Sequence, residues 1–284
     1  MSAKSWKLTD VGAGIYIEDV EITPAEVGGT ANGYSVTKKR LRGGLSDGVD
    51  LVHVDNGAIA VDVLPTRGMG IWKAYLGDTE IGWKSPVRGP VHPNRVPLME
   101  PGGLGWLDGF DELLCRCGLE SNGAPDFGED GQLVYPLHGR IANRPAHKVD
   151  LSIDGDSGEI VVCGEVDEAR LFFNKLRLSS QVRTTAGHTS LTITDTVTNI
   201  SAQDGELELL YHINFGNPLL TPGARVVLPV AKIAPRDAVG AWETRAQVVP
   251  STPNELRFYE RRLKAPHARF AACGFQPRCG TLSR

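Results

Sequence analysis

Residues 171–182 read LFFNKLRLSSQV, and this stretch carries the pattern that decides the fold class. Apolar and polar side chains alternate through its second half, with Leu176, Leu178 and Val182 on one side and Arg177, Ser179 and Gln181 on the other. A period of two is typical of a β-strand with one buried face. We therefore predict a strand over residues 171–182.

Short runs of Val, Ile, Leu and Thr recur along the chain, punctuated by 33 glycines and 18 prolines. These runs predict further strands over residues 58–64, 159–166, 188–199, 206–212 and 225–233. Within 188–199 the acidic Asp195 interrupts the apolar side. No segment has a long apolar stripe at helical spacing, and many short strands between turns are typical of a sandwich or barrel. We predict an all-β fold in a single domain over residues 1–284.

Charge and composition exclude several classes of function. The net charge is −4, from 30 basic and 34 acidic residues that are well mixed, whereas a nucleic-acid surface needs a basic stripe. No apolar run approaches the roughly 18 to 20 residues that cross a bilayer, and the N-terminus has no secretory signal. Five cysteines do not form a disulfide framework. We predict a cytoplasmic protein without nucleic-acid or membrane partners and leave its oligomeric state open.

Residues 86–147 differ from the rest of the chain, because they are rich in Gly, Pro, Trp and charged residues and have weak periodicity. Long irregular segments in a compact domain are usually functional or disordered. Disorder is disfavoured by the aromatic residues Trp106, Phe110, Phe127 and Tyr135. We interpret the segment as an ordered loop region that covers a site.

Two histidine motifs combine groups that suit sugar chemistry: LHGRIAN at 137–143 and YHINFGNP at 211–218. The first offers His138 as a titrating group and Arg140 as a fork of donors beside a glycine. In the second, His212 ends an apolar strand, where it can donate a proton near pH 7, and Asn214 follows it. Alternatively, His138 satisfies buried backbone in a tight turn and His212 is bonded to a loop.

Three further motifs place charged and amide groups beside aromatic rings: PTRGMGI at 65–71, GWLDGFDE at 105–112 and GLESNG at 118–123. From them we select Arg67, Asp111, Glu120 and Asn122 as candidate sugar contacts, because amides, carboxylates and guanidinium groups bind hydroxyls directionally. Alternatively, Arg67 pairs with a carboxylate, and the acids belong to a solvated loop. The possible carboxylate partners of Arg67 are Asp108, Asp111 and Glu112.

We predict neither a metal nor a cofactor. Cys115-x-Cys117 lacks a second cysteine pair at the spacing of zinc ligands. The glycine-rich residues 101–105 do not match a phosphate-binding loop, since no Lys-Ser/Thr follows them.

Taken together, four stretches resemble the aldose 1-epimerase family, which is galactose mutarotase-like, and within it a branch whose function is uncharacterised. They read VLPTRGMGI, GLGWLDGFDELLCRCGLESNGAP, YPLHGRIANRPAHKV and ELLYHINFGNPLL, and with their surroundings they span residues 63–235. The resemblance implies a large antiparallel β-sandwich, in agreement with the period-two pattern, and a small-molecule sugar as partner.

The resemblance also implies roles for individual residues. Family members interconvert sugar anomers through the open chain, with an acid that protonates the ring oxygen and a base that deprotonates the anomeric hydroxyl. His212 resembles the acid, His138 a histidine that holds the sugar, and Arg67 the family arginine. The family base is a glutamate in a Leu-Glu-Pro-like turn near the C-terminus, and this chain has no such turn. Residues 260–284 instead form an atypical tail with five arginines, so we expect a C-terminal truncation or a frameshift after Tyr259.

Three hypotheses follow. The protein is a mutarotase or epimerase with a substitute base such as Glu120 or Asp111, a sugar-binding protein without catalysis, or an inactive truncated product. A cupin-like metal enzyme is a more distant alternative. Arg67 and Arg140 together suggest an anionic or otherwise modified aldose as the sugar.

Overall fold

The strands of the chain form two large antiparallel sheets in the computed structural model. The structure describes residues 3–220, 230–235, 259–263 and 279–282. The strands are β1 (Ala3–Asp10), β2 (Ile15–Tyr16), β3 (Val20–Ile22), β4 (Ser35–Arg40), β5 (Asp50–Asp55), β6 (Ile59–Leu64), β7 (Gly70–Leu76), β8 (Thr79–Ile81), β9 (Leu114–Leu119), β10 (Asp126–Phe127), β11 (Leu133–Tyr135), β12 (Lys148–Asp154), β13 (Glu159–Ala169), β14 (Lys175–Thr185), β15 (Thr192–Asn199), β16 (Gly205–Ile213), β17 (Val230–Pro235), β18 (Tyr259–Leu263) and β19 (Cys279–Leu282).

Helical structure is short. One α-helix, α1, spans Pro24–Val27, and single 3₁₀ turns span Val11–Ala13, Gly44–Ser46, Pro65–Arg67, Pro93–Arg95, Gly105–Gly109 and Ile141–Asn143. Among the described residues, no helix has the length and apolar character needed to cross a membrane.

The two sheets pack face to face. The first has six strands in the order β15-β14-β13-β12-β1-β2, and the second has nine, in the order β19-β16-β9-β7-β6-β5-β4-β3 with β8 beside β7. Strands β10 and β11 pair with each other, as do β17 and β18. One hydrophobic core joins Leu151, Val162 and Leu178 of the first sheet to Val63 and Ile71 of the second. The predicted all-β fold, a large antiparallel β-sandwich, is confirmed.

Strand β14 bears the predicted alternation, but it begins later than expected. Leu176, Leu178 and Val182 are buried, as the pattern predicted. The strand starts at Lys175, however, and residues 171–173 form the turn that connects it to β13. Phe172 in this turn is 90% exposed. The prediction of strand over 171–174 was wrong, because apolar composition was given more weight than the alternation, which begins at Leu176.

Asp195, which interrupts the apolar side of β15, pairs across the sandwich. Its carboxylate accepts hydrogen bonds from Arg116 of β9, at 2.5 Å from Nε and 2.9 Å from Nη2. Tyr211 of β16 donates to the same carboxylate at 2.7 Å. The Arg116 guanidinium also holds the pKa of Asp195 below its usual range, although burial raises it. The charged residue in the strand pattern is therefore a link between the two sheets.

Strand β9 was not predicted. All six of its residues, 114–119, are buried, so both faces are covered and the sequence lacks the alternation of a half-buried strand. It lies in the middle of the nine-stranded sheet, between β7 and β16. The segment 86–147 thus consists of loops around the buried strand β9 and the short pair β10–β11.

Several predictions concern the C-terminal part of the chain. Of the predicted strand 225–233, residues 225–229 lie outside the described residues, and β17 begins at Val230. The atypical tail also lies outside them, apart from residues 260–263 and 279–282. Nothing in the described part of the chain supports a truncation. The single domain over 1–284 stays a prediction.

Candidate functional site

Two aromatic rings and two histidine rings meet on one face of the nine-stranded sheet. The ring centroids of His138 and His212 are 5.7 Å apart. Trp106 contacts His138 at 4.7 Å and His212 at 6.1 Å, and Phe110 contacts His212 at 4.8 Å. We call Trp106, Phe110, His138 and His212 the aromatic–histidine cluster. Two histidines 74 positions apart in sequence are therefore neighbours, as one sugar pocket would require.

The sheet and a tight turn position the two histidines. His212 lies on β16 and pairs in register with Cys115 of β9, and Cys115 packs beneath Trp106 in a small second core. The backbone of His138 has a φ of 58°, a value that residues other than glycine rarely adopt. Its N–H donates to Gly123 O at 2.9 Å, and its carbonyl accepts from Gly118 N at 3.1 Å. A rigid strand and a fully bonded turn thus fix both rings.

The turn after His138 requires a glycine. A Cβ on Gly139 would lie 2.1 Å from the carbonyl oxygen of Ser121 and 2.5 Å from that of Gly118. Its φ is 70°, in the left-handed region. The His-Gly pair in the motif therefore reflects close backbone approach beside a histidine.

Burial keeps both histidines neutral at pH 7. It lowers the pKa of His138 to about 4, and the nearby His212 contributes to this shift. Burial also lowers the pKa of His212, while a hydrogen bond with Asn214 and the charge of Glu112 oppose the shift. A neutral imidazole has a lone pair, so each ring can accept a proton or a hydroxyl hydrogen bond.

Both predicted asparagines lie beside a histidine. Asn122 Oδ1 is 3.4 Å from His138 Nδ1. Asn214, which follows β16, donates from Nδ2 to Glu112 O at 2.9 Å, and its amide acts to raise the pKa of His212. The structure therefore brings His138, His212, Asn122 and Asn214 together.

Arg67 is buried behind this cluster, with 1% of its surface exposed. Its guanidinium pairs with the Glu112 carboxylate at 2.8 Å and donates to Gly109 O at 2.8 Å and to Asn143. This arrangement matches the ion-pair alternative. It favours a structural role for Arg67 over direct contact with a sugar.

Asp111 lies next to Glu112 and is largely buried. One carboxylate oxygen accepts from Trp72 Nε1 at 2.8 Å. Burial raises the pKa of Asp111 to about 7, and the neighbouring Glu112 adds to the effect. A carboxyl group that titrates near pH 7 can exchange protons at physiological pH.

Arg140 and Glu120 form an ion pair at 3.3 Å in a different place. Glu120 borders a cleft of about 320 Å³ together with Tyr135, Asn174 and Glu208. Neither histidine lines this cleft. The predicted contacts Arg140 and Glu120 therefore separate from the aromatic–histidine cluster.

Sequence reasoning missed Glu168, a buried carboxyl group near this cleft. Its oxygens accept from the backbone N–H groups of Leu119 at 3.0 Å and Glu120 at 3.3 Å. Burial raises its pKa to about 7. The alternation along β13 could have identified it, because Glu168 lies an even number of positions after Ile160 and Val166 and so faces inward with them.

No group of three or more His, Cys, Asp or Glu side chains within the described ranges is arranged to hold a metal ion.

Comparison with known proteins places this chain in a family. A family model described as a domain of unknown function, DUF4432, matches residues 46–273. The chain belongs to the DUF4432 family. A search of the curated proteins finds no significant match.

This DUF4432 protein is similar in fold to one crystal structure in particular, and a second is a more distant match. A candidate aldose 1-epimerase from Klebsiella pneumoniae is 31% identical over 86% of this chain, with a TM-score of 0.81. A galactose mutarotase-like protein from Clostridium acetobutylicum is 17% identical over 72% of this chain, with a TM-score of 0.49. This chain spans 64% of the first protein's length and 61% of the second's. The resemblance to the aldose 1-epimerase family is confirmed.

Proposed function

We propose that this protein binds an aldose at the aromatic–histidine cluster and interconverts its anomers by acid–base ring opening. The observation that carries the proposal is the convergence of His138 and His212, at 5.7 Å, beside the rings of Trp106 and Phe110. The histidines suit the hydroxyls of a sugar, and Trp106, which is 1% exposed, packs behind them in the small second core. The 31% identity to a candidate aldose 1-epimerase agrees with this assignment.

In this proposal His212, which the sequence suggested as the acid, is neutral and accepts the proton of the anomeric hydroxyl, and His138 holds the sugar. Ring opening removes a proton from the anomeric hydroxyl and delivers one to the ring oxygen, and each transfer contributes about a hundred- to ten-thousand-fold to the rate. Asp111 is assigned the other transfer in preference to Glu120, because with a pKa of about 7 it is partly protonated at pH 7 and can deliver a proton to the ring oxygen. Glu120 is held by Arg140.

The proposed substrate is a neutral aldose. An anionic sugar was expected because of Arg67 and Arg140, but Arg67 pairs with Glu112 and Arg140 with Glu120. A guanidinium group that already faces a carboxylate is a weak attractant for a second anion. Neutral aldoses are therefore the first substrates to test, with uronic acids as the comparison.

NMR exchange spectroscopy between the α and β anomers tests the proposal. We expect wild-type protein to accelerate exchange for at least one neutral aldose, and His212→Ala to lose about 100-fold or more of that acceleration. His188→Ala changes an exposed histidine outside the cluster and should leave the rate unchanged. If no aldose is accelerated, or if His212→Ala keeps the full rate, the catalytic proposal is wrong.

A sugar-binding protein without catalysis is the second candidate. It is favoured by the two neutral histidines, because neither is an acid at pH 7. Under this alternative, ligand-detected NMR shows sugar binding that His138→Ala weakens, with no change in anomer exchange. The two candidates therefore differ in the exchange rate and share the binding signal.

A further inference from the structure

Strand β15 forms one outer edge of the six-stranded sheet. It spans Thr192–Asn199, 8 residues, and pairs with β14 in continuous register. In the part of the chain that the structure describes, no strand pairs with its other side. The described edges at β2, β3 and β19 are shorter, with 2, 3 and 4 residues. The long edge at β15 is therefore open to pairing with a further strand.

The backbone of β15 alternates in direction between β14 and the open edge. Ile200 N donates to Lys175 O at 2.9 Å, and these two residues continue the register of the β14–β15 pair. In an antiparallel ladder, hydrogen-bonded residues alternate with residues whose N–H and C=O groups point to the opposite side. The even-numbered residues of β15 therefore bond to β14. The backbone groups of Ile193, Asp195 and Val197 point out of the sheet edge.

The exposed side chains of β15 do not protect this edge. They are all threonines, at positions 192, 194, 196 and 198, and the residues between them are partly buried. Natural edge strands are usually short, or are protected by lysine, proline or a bulge. Strand β15 contains no lysine and no proline, and its register with β14 is unbroken. Its outward face is therefore uncharged and accessible to another strand.

Asp195 is the charged residue of β15, and it is already paired. An inward-pointing charge can block edge pairing, because an added strand would bury it without a partner. The Asp195 side chain is 1% exposed and binds Arg116 of the same chain. A strand added at the edge therefore does not remove a free charge from water.

The sequence of β15 is suited to pairing with a second copy of itself. Inward and outward residues must match across a strand pair, so a two-fold axis between antiparallel copies passes through a residue position. An axis at Asp195 would set two carboxylates opposite each other, which is unfavourable. An axis at Thr196 sets threonine against threonine on the outward face and Asp195 against Val197 on the inward face. Cross-strand threonine pairs are stabilising.

The charges on the neighbouring strand do not oppose such a pair. Arg177 and Arg183 of β14 lie on the outer face and pair with Asp167 at 2.7 Å and Glu159 at 2.8 Å. In the paired sheet the β14 strands of the two copies are three strand spacings apart, about 14 Å. This distance exceeds the Debye length of about 8 Å at physiological ionic strength. Repulsion between the arginines of the two copies is therefore weak.

An exposed apolar turn lies at one end of the open edge. Leu171 is 72% exposed and Phe172 is 90% exposed, in the turn before β14. The turn is next to the point where Leu176 pairs with Asn199, the last residue of β15. Exposed apolar surface beside an unpaired strand is typical of a region that another protein chain covers.

We propose that two copies of this chain pair β15 with β15 in antiparallel orientation, about a two-fold axis at Thr196. The pairing joins the two six-stranded sheets into one continuous sheet. Ile193, Asp195 and Val197 of each copy supply the backbone hydrogen bonds. Dimers of this symmetry, with the same surface on both subunits, are the commonest oligomers. The inference goes beyond the proposed function, because β15 lies in the sheet opposite the one that bears the aromatic–histidine cluster.

Sedimentation velocity of the full chain over a concentration series tests the proposal. We expect wild-type protein to form a dimer as its concentration rises. Thr196→Lys and Thr196→Glu should each raise the dimer dissociation constant about fivefold or more, because the axis sets each new charge against its copy. An equimolar mixture of the two variants should restore the dimer, because opposite charges then face each other. Failure of the mixture to restore it would contradict the axis at Thr196.

Gln181→Lys is the matched control, because Gln181 is exposed on the adjacent strand β14 and lies away from the axis. This variant should remain dimeric. Hydrogen exchange provides a second measurement on wild type: the amides of Ile193, Asp195 and Val197 should gain protection as concentration rises. The amide of Thr196, which bonds to β14, should be protected at every concentration. A monomer throughout the series, or a dimer that both Thr196 variants leave unchanged, would overturn the proposal.

Discussion

His138 links the aromatic–histidine cluster to the stability of the folded chain. Its pKa is about 4 in the folded protein, against about 6.5 when unfolded. Between these values the unfolded chain binds a proton that the folded chain does not, so the residue destabilises the fold as pH falls through this window. From pH 7.5 to 5 the loss is about 2 kcal/mol.

His138→Gln removes this titration. As pH falls from 7.5 to 5, we expect wild type to lose about 2 kcal/mol more unfolding free energy than the variant does. Urea denaturation at a series of pH values measures the difference. His188→Gln, at an exposed position, controls for the loss of a histidine. Parallel pH curves for wild type and His138→Gln would contradict the buried neutral state.

At this scale the sequence predicted which residues lie together better than it predicted their contacts. Both histidines and both asparagines follow from motifs in which a strand end or turn holds a polar residue. The role of Arg67 depends on Glu112, 45 positions away, and nothing local distinguishes a paired guanidinium from a free one. Glu168 reaches the backbone of Leu119 across 49 positions. Such partners are set by the packing of distant strands.

Among the elements, β15 and β9 are joined by a buried ion pair. The side chains of Arg116 and Asp195 are 0% and 1% exposed. Removal of one partner leaves a charge buried without compensation, which costs about 3–5 kcal/mol. We expect Asp195→Ala to lose that much unfolding free energy by urea denaturation. Thr194→Ala, an exposed neighbour on the same strand, should change little.

The double variant Arg116→Met with Asp195→Leu separates pairing from packing. Apolar residues of similar volume often replace a buried ion pair without loss. We expect it to be more stable than Asp195→Ala. Equal stability of Asp195→Ala and wild type would show that the pair contributes nothing.

Strands were predicted correctly where one face is buried and the other is exposed to solvent. Leu176, Leu178 and Val182 of β14 follow that rule. The rule fails for β9, whose residues are buried on both faces. Asp195 looked like an imperfection in β15, because the arginine that it binds lies on a strand that the sequence did not reveal.

At the scale of the whole molecule, the two sheets pack closely where Gly164 of one sheet lies opposite Met69 of the other. A Cβ on Gly164 of β13 would lie 2.2 Å from Sδ of Met69, which is fully buried next to β7. We expect Gly164→Ala to cost about 1–3 kcal/mol of unfolding free energy through overpacking. Met69→Ala alone should cost about 2–5 kcal/mol by leaving a cavity.

The double variant tests whether the two positions share one space. In Gly164→Ala with Met69→Ala, the new methyl group enters the cavity, so the loss should be smaller than the sum of the two single losses. Additive losses would mean that the two positions do not share one space. Gly187→Ala is an unsuitable control because its φ is 77°; Ser152→Ala, on the neighbouring strand β12, is suitable.

The bonds that Asp195 accepts from Arg116 and Tyr211 have a thermodynamic consequence. Tyr211 precedes His212 on β16, and Arg116 follows Cys115 on β9, so both strands beneath the pocket are tied to the opposite sheet. We therefore expect β9, β16 and the opposite sheet to unfold as one cooperative unit. A sugar that binds the folded form stabilises all of it, by an amount that grows with the logarithm of ligand concentration. A shift in melting temperature thus reports on occupancy of the pocket, even for a ligand that is never turned over.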